Sequence, residues 1–309
     1  MWLPETRTTR RLFLQAGLTT LAVACAASTQ MGQLSPPSPN PLLDQPRGGG
    51  PLTAALPASD LAVGPNQRFL VALIGPGNQL ITDATVELAF FKVTGADNAQ
   101  LRSRAPATYL EPPGSPGRGI YVARTDFDEA GDWGVEASVV RPGGPQPPIR
   151  VGFKVKPRSD TPAIGQVVPA SSTLVGHTVS EVESFCSARP ADLEFHQLTI
   201  ADAITQAKPT AILFATPGFC ESMLCGPSLD SLKALRQQYG ERVNYVHVEI
   251  YKDGRPNERK EMVPSVSEWG LPSEPWLFVV GPGGRLADKF EGSITVEETT
   301  PVIDRLLNA

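Results

Sequence analysis

The spacing of apolar and polar residues divides the chain into blocks. Between Leu52 and Pro157 the apolar runs are short: Arg68–Ile74, Thr85–Val93, Gly119–Arg124, Trp133–Val140 and Ile149–Val155. Thr85-Val86-Glu87-Leu88-Ala89-Phe90 alternates with the two-residue period of a strand that buries one face. Turn formers such as Gly75-Pro76-Gly77-Asn78 and Arg141-Pro142-Gly143-Gly144 separate the runs. Short strands at this spacing predict a small antiparallel sandwich over 52–157. Trp133 reads as a core residue of it.

From about His177 the pattern changes to alternating helix and strand. Thr199 and Asp202 cap a helix predicted through Ala207. Thr210–Ala215 is a continuous apolar run, as in a strand buried on both faces. Pro227–Tyr239 has helical spacing, with Leu229, Leu232 and Leu235 inward and Lys233, Arg236 and Gln237 outward. Val243–Ile250 and Trp276–Val280 read as strands, the second turned by Gly281-Pro282-Gly283-Gly284 into Arg285–Glu291. Thr295 with Glu298 caps a last helix to Leu307. An α/β unit is therefore predicted over 177–309.

The remaining blocks have no such periodicity. Residues 28–51 and 158–176 are rich in Pro, Ser, Gly or Thr and read as linkers. They hold part of an excess of 31 prolines and 28 glycines in 309 residues. Residues 1–27 read as an export signal. Arg10-Arg11 precedes Leu12-Phe13-Leu14-Gln15 and an apolar run from Ala16 to Ala27, and this resembles a twin-arginine signal. Leu21-Ala22-Val23-Ala24-Cys25 resembles a lipobox, which makes Cys25 the candidate lipidation site; cleavage near Ala24–Ala27 is the alternative. The expected location is extracytoplasmic, anchored to the outer face of the cell membrane. The net charge of −5 carries no basic stripe, which argues against nucleic acid as a partner.

Export bears on the four cysteines, Cys25, Cys186, Cys220 and Cys225, because thiols outside the cytoplasm persist as disulfides. Cys220 and Cys225 lie between the Thr210–Ala215 strand and the Pro227 helix. Five residues of regular helix rise about 7.5 Å, beyond the roughly 7 Å Cα limit of a disulfide. If the pair bonds, Cys220–Leu224 is therefore loop, and the helix begins near Gly226-Pro227. Cys225 then sits by the helix N-terminus, where the dipole favours a thiolate.

The run Phe214-Ala215-Thr216-Pro217-Gly218-Phe219-Cys220 through Cys225-Gly226-Pro227, with Ser273-Glu274-Pro275-Trp276 ahead of a strand, resembles the thioredoxin superfamily in an exported bacterial form with a C-x4-C spacing. Gly119-Ile120-Tyr121-Val122 and Glu129-Ala130-Gly131-Asp132-Trp133 resemble an Ig-like accessory domain. The fold class implied is an all-β Ig-like sandwich followed by an α/β thioredoxin-like domain. The resemblance implies a thiol–disulfide oxidoreductase with Cys220, Cys225 and a cis-Pro275 as catalytic residues. It implies no cofactor, and as partners exported protein thiols and disulfides or a membrane reductant.

Two other readings stand beside it: a structural disulfide in an interaction protein, and a copper metallochaperone using the pair. Cys186 is a candidate accessory thiol or a buried bystander. His247 reads as a core histidine, and His177 and His196 precede the unit proper. Tyr251, Trp269 and Trp276 are candidates for a groove edge or for packing. Glu221 and Asp230 flank the pair.

Overall fold

The computed structural model describes residues 52–96, 98–220, 224–256 and 261–309. The expected signal with Arg10-Arg11 and Cys25, the 28–51 linker and Glu221 lie outside the described residues.

Eight strands form the first sheet: β1 (Thr53–Ala55), β2 (Gly64–Ile74), β3 (Thr85–Gly95), β4 (Asn98–Leu110), β5 (Ile120–Phe127), β6 (Gly131–Arg141), β7 (Gly144–Pro145) and β8 (Ile149–Val155). Their order is β1-β2-β5-β4-β3-β6-β7, with β8 also on β6, and every pairing is antiparallel. The sheet nearly closes on itself. Lys156 N donates to Leu61 O at 2.8 Å and Val63 N to Lys156 O at 3.0 Å, joining the two ends and covering edges that would otherwise invite pairing. The alternation read at Thr85–Phe90 holds through Leu88: Val86, Leu88 and Phe90 are buried and Thr85 and Glu87 exposed, but Ala89 is buried as well. The interior is aromatic. Phe69, Phe90, Phe127, Trp133 and Phe153 meet with ring centroids as close as 4.9 Å. Each such ring contributes roughly 1.5–3 kcal/mol on burial.

β4 lies in a stretch that the apolar pattern passes over. Its sequence is largely polar because much of one face is exposed, and it carries Pro106. Proline is tolerated where a ladder bond is dispensable; β4 pairs with β5 only over Thr108–Leu110.

The second sheet has four strands: β9 (Thr210–Phe214), β10 (Asn244–Val248), β11 (Trp276–Val280) and β12 (Leu286–Glu291), in the order β10-β9-β11-β12. β10 runs parallel to β9; β11 is antiparallel to β9 and to β12. Among the described residues five α-helices accompany it: α1 (Val179–Phe185), α2 (Ile200–Thr205), α3 (Cys225–Tyr239), α4 (Pro264–Glu268) and α5 (Val296–Leu307). Leu229, Leu232 and Leu235 of α3 and Val302 and Ile303 of α5 pack with Ala211, Leu213 and Leu277 on one face. Ile200 and Ile204 of α2 and Val266 of α4 pack with Ile212, Phe214 and Phe278 on the other. Cover on both faces explains why β9 and β11 are buried at every position.

The class expected from the sequence is corrected here. The chain is β-rich, with an eight-stranded, nearly closed sheet and a separate four-stranded one, in place of an Ig-like sandwich followed by a thioredoxin-like domain. Local spacing identifies strands, but it does not show β4, nor the two ends of the first sheet meeting.

The sheets are joined through charged side chains. Arg68 of β2 forms an ion pair with Glu298 of α5 at 2.7 Å and also donates to the carbonyls of Glu291 and Ser293. Arg124 of β5 reaches Asp288 at 3.3 Å, and both guanidinium groups lie over the Phe290 ring. The Asp60 carboxylate, fully buried, accepts from Asp160 N, from Ser159 and from Thr161, and faces Lys289 of β12 at 3.5 Å. Burial alone would raise its pKa. The hydrogen bonds and the Lys289 charge outweigh burial and hold it below the usual carboxylate value.

Candidate functional site

Cys220 and Cys225 form a disulfide with Cα atoms 5.9 Å apart. That separation is below the helical rise over five residues because Cys220 lies before the helix and Cys225 is its first residue. Cys225 is fully buried, whereas Cys220 is half-buried and packs at the edge of the core. The sequence favours Cys225 as the more reactive sulfur; burial makes Cys220 the one a partner can reach.

The Glu274 carboxylate approaches Cys225 Sγ at 3.5 Å and accepts from Thr216 N at 2.8 Å. The peptide that follows, Glu274–Pro275, is cis. Pro275 O then accepts from Gly292 N at 2.9 Å, which ties this turn to the end of β12. The site therefore collects residues from the β9–α3 loop, from α3 and from the turn before β11.

Behind the loop lies a buried relay. Gly218 N donates to Ser187 Oγ at 3.0 Å, and Ser187 Oγ and N both donate to Glu249 Oε1 at 2.7 Å. A Cβ on Gly218 would stand 2.8 Å from Ser187 O, so only glycine permits this approach. Glu249 Oε2 is buried without a hydrogen bond. Burial pushes its carboxyl up to about 7; the Ser187 hydrogen bonds oppose this, and the Glu274 charge adds to it.

Cys186 is buried, ends α1, and is not bonded to the pair. Its Sγ lies 3.9 Å from His247 Nδ1, and that nitrogen lies 3.2 Å from His196 Nε2. Burial, with the Glu249 charge adding, raises the Cys186 thiol to about 12. Burial also lowers His196 to about 2 and His247 to about 4, so both rings are neutral at physiological pH.

His177 and Asp230 are exposed. Tyr251, Trp269 and Trp276 are buried, and Trp269 packs with tilted rings against Phe214 and Phe278. Trp133 is fully buried in the first core. Sequence reasoning missed Glu249 and Glu274. A carboxylate inside the apolar run Val243–Ile250 is a visible sign of the first. The second stands next to Pro275, and only tertiary folding carries it to Cys225.

No family model matches the chain, and no curated protein matches it. Solved structures offer partial likenesses. A DUF4426 family protein from Pseudomonas aeruginosa PAO1 is 14% identical over 37% of this chain and 98% of its own, with a TM-score of 0.27. MtrC from Shewanella baltica OS185 is 10% identical over 40% of this chain and 24% of its own, at 0.27. CopC from Methylosinus trichosporium OB3b is 13% identical over 33% of this chain and 93% of its own, at 0.21. Likenesses this slight carry no functional argument. The expected membership of the thioredoxin superfamily is corrected: none of these comparisons shows a thioredoxin-like fold, so the family and its implied properties are not carried to this chain. The cysteine spacing and the turn at Pro275 are local features, and local features do not establish a family.

Proposed function

We propose that the chain exchanges disulfides with partner thiols through Cys220 and Cys225. One observation carries the reading: a half-exposed sulfur is bonded to a buried one that has a carboxylate 3.5 Å away. A partner thiolate attacks Cys220 Sγ. The Cys220–Cys225 bond breaks, a mixed disulfide forms, and Cys225 leaves as a thiolate that takes up a proton beside Glu274. A second partner thiol, losing its proton, attacks the partner's own sulfur, closes the partner disulfide and releases Cys220 as a thiol. Two electrons pass from partner to pair; the reverse sequence reduces a partner. The position of Cys225 at the start of a 15-residue helix supports its role as leaving group, because the dipole stabilises the thiolate.

The proposed setting is outside the cytoplasm, on the strength of the Arg10-Arg11 segment and of a disulfide that persists there. No helix among the described residues is long and apolar enough to cross a membrane. The test of function is insulin-disulfide reduction by the full chain with dithiothreitol as reductant. Turnover that disappears in Cys220→Ser supports the reading, and a wild-type rate equal to the uncatalysed one overturns it.

A further inference from the structure

Cys186, His196 and His247 converge although each belongs to a different segment. Cys186 ends α1, His196 ends a short turn of 3₁₀ helix over Leu193–Phe195, and His247 is on β10. The facing atoms are Sγ, Nε2 and Nδ1, all within 4.8 Å of one another and all buried. Around one ion, bonds of about 2.0 Å to imidazole and about 2.3 Å to thiolate give trigonal donor separations of about 3.5 Å and about 3.7 Å. Two separations fall close to these, 3.2 Å between the nitrogens and 3.9 Å from Cys186 Sγ to His247 Nδ1, and the third, from Cys186 Sγ to His196 Nε2, lies within 4.8 Å.

The hydrogen bonding around the rings agrees. His247 Nε2 lies 3.0 Å from Ala215 O, which fixes the proton on Nε2 and turns the Nδ1 lone pair toward Cys186 and His196. A carbonyl on the outer nitrogen is the usual support of a ligating histidine. As the rings stand, His196 Nε2 donates to His247 Nδ1, and His196 Nδ1 is buried without a partner, so Nδ1 is free to take that proton when Nε2 turns its lone pair to an ion. There is also a way in. Both histidines line a cavity of about 300 Å³ walled by Phe185, Leu174, Val263 and Pro264.

We propose that Cys186, His196 and His247 form a binding site for a single copper ion, held as Cu(I). Two imidazoles and one thiolate in a trigonal set suit copper, and the soft thiolate, with all three donors buried, suits the monovalent ion. On binding, the Cys186 S–H bond breaks, a sulfur–copper bond forms and the proton leaves to solvent; no electron is transferred. The site is separate from the disulfide, so it stands or falls independently of the exchange activity.

The test uses the full chain carrying C220S and C225S, titrated with Cu(I) against bicinchoninate. One equivalent per chain is expected, with affinity falling at least about 100-fold, or about 2.8 kcal/mol, on adding Cys186→Ala. Loss of all Cu(I) binding in C220S/C225S overturns the proposal, as does binding indifferent to Cys186→Ala. Retention of Zn(II) but not Cu(I) overturns the choice of copper. If Cys186→Ala does not fold, X-ray absorption of the Cu(I)-loaded C220S/C225S chain decides. One sulfur and two nitrogen donors are expected, and any set without sulfur overturns the site.

Discussion

Glu274 Oε2 lies 3.5 Å from Cys225 Sγ although the two residues are 49 positions apart. It places a carboxylate beside the sulfur that must carry charge when the disulfide opens. Glu274→Gln keeps an acceptor for Thr216 N but removes the proton-transfer group. Reduction of the pair by dithiothreitol, followed by stopped flow, is expected to slow by about 100-fold with a changed pH profile. An unchanged rate and profile would limit Glu274 to holding the loop.

The two cysteines differ in access, and their variants should differ in the same sense. Cys225→Ser leaves a reachable Cys220 thiol, which should accumulate a mixed disulfide with a small dithiol. Cys220→Ser leaves a buried Cys225 that alkylates much more slowly under native conditions. Mass spectrometry after timed iodoacetamide treatment reads both; equal alkylation rates would contradict the burial argument.

Arg68 and Glu298 form a buried pair, with side chains 6% and 9% exposed. Arg68→Ala leaves Glu298 and the Glu291 and Ser293 carbonyls without their donor. A loss of about 3–5 kcal/mol is expected by urea denaturation. A loss below about 1 kcal/mol would mean that the pair behaves as a surface bridge.

Asp60 supplies an acid-sensitive lock between the sheets. Its folded pKa lies below the unfolded value, so its contribution is fully present above the ordinary carboxylate range near 4. It fades as pH falls through the lower folded value. Asp60→Asn should reduce stability at pH 7 by about 3 kcal/mol and flatten its dependence on pH below about 5. Parallel pH profiles for variant and wild type would remove Asp60 from this role.

What the sequence displays is largely local. Thr210–Phe214 is legible because a strand covered on both faces must be apolar throughout, and Thr295 because its hydroxyl caps α5. α1 escapes notice although Thr178 and Glu181 form a full capping box, because only Val182 of its seven residues is buried. At the site, the cysteines announce themselves, whereas Glu274 and the His196–His247 contact depend on strands and turns brought together from distant segments. The same limit explains the corrected family: the motif spacing around Cys220 and Pro275 says nothing about how eight strands before it close.

The central claim is that Cys220–Cys225 is an exchangeable disulfide, and its reduction potential tests this most directly. The full chain is equilibrated in glutathione redox buffers, and the oxidised fraction is read by thiol alkylation. A potential between about −120 and −270 mV, the range of exchange-active pairs, is expected. A value below about −300 mV would make the pair a permanent structural bond and contradict the account.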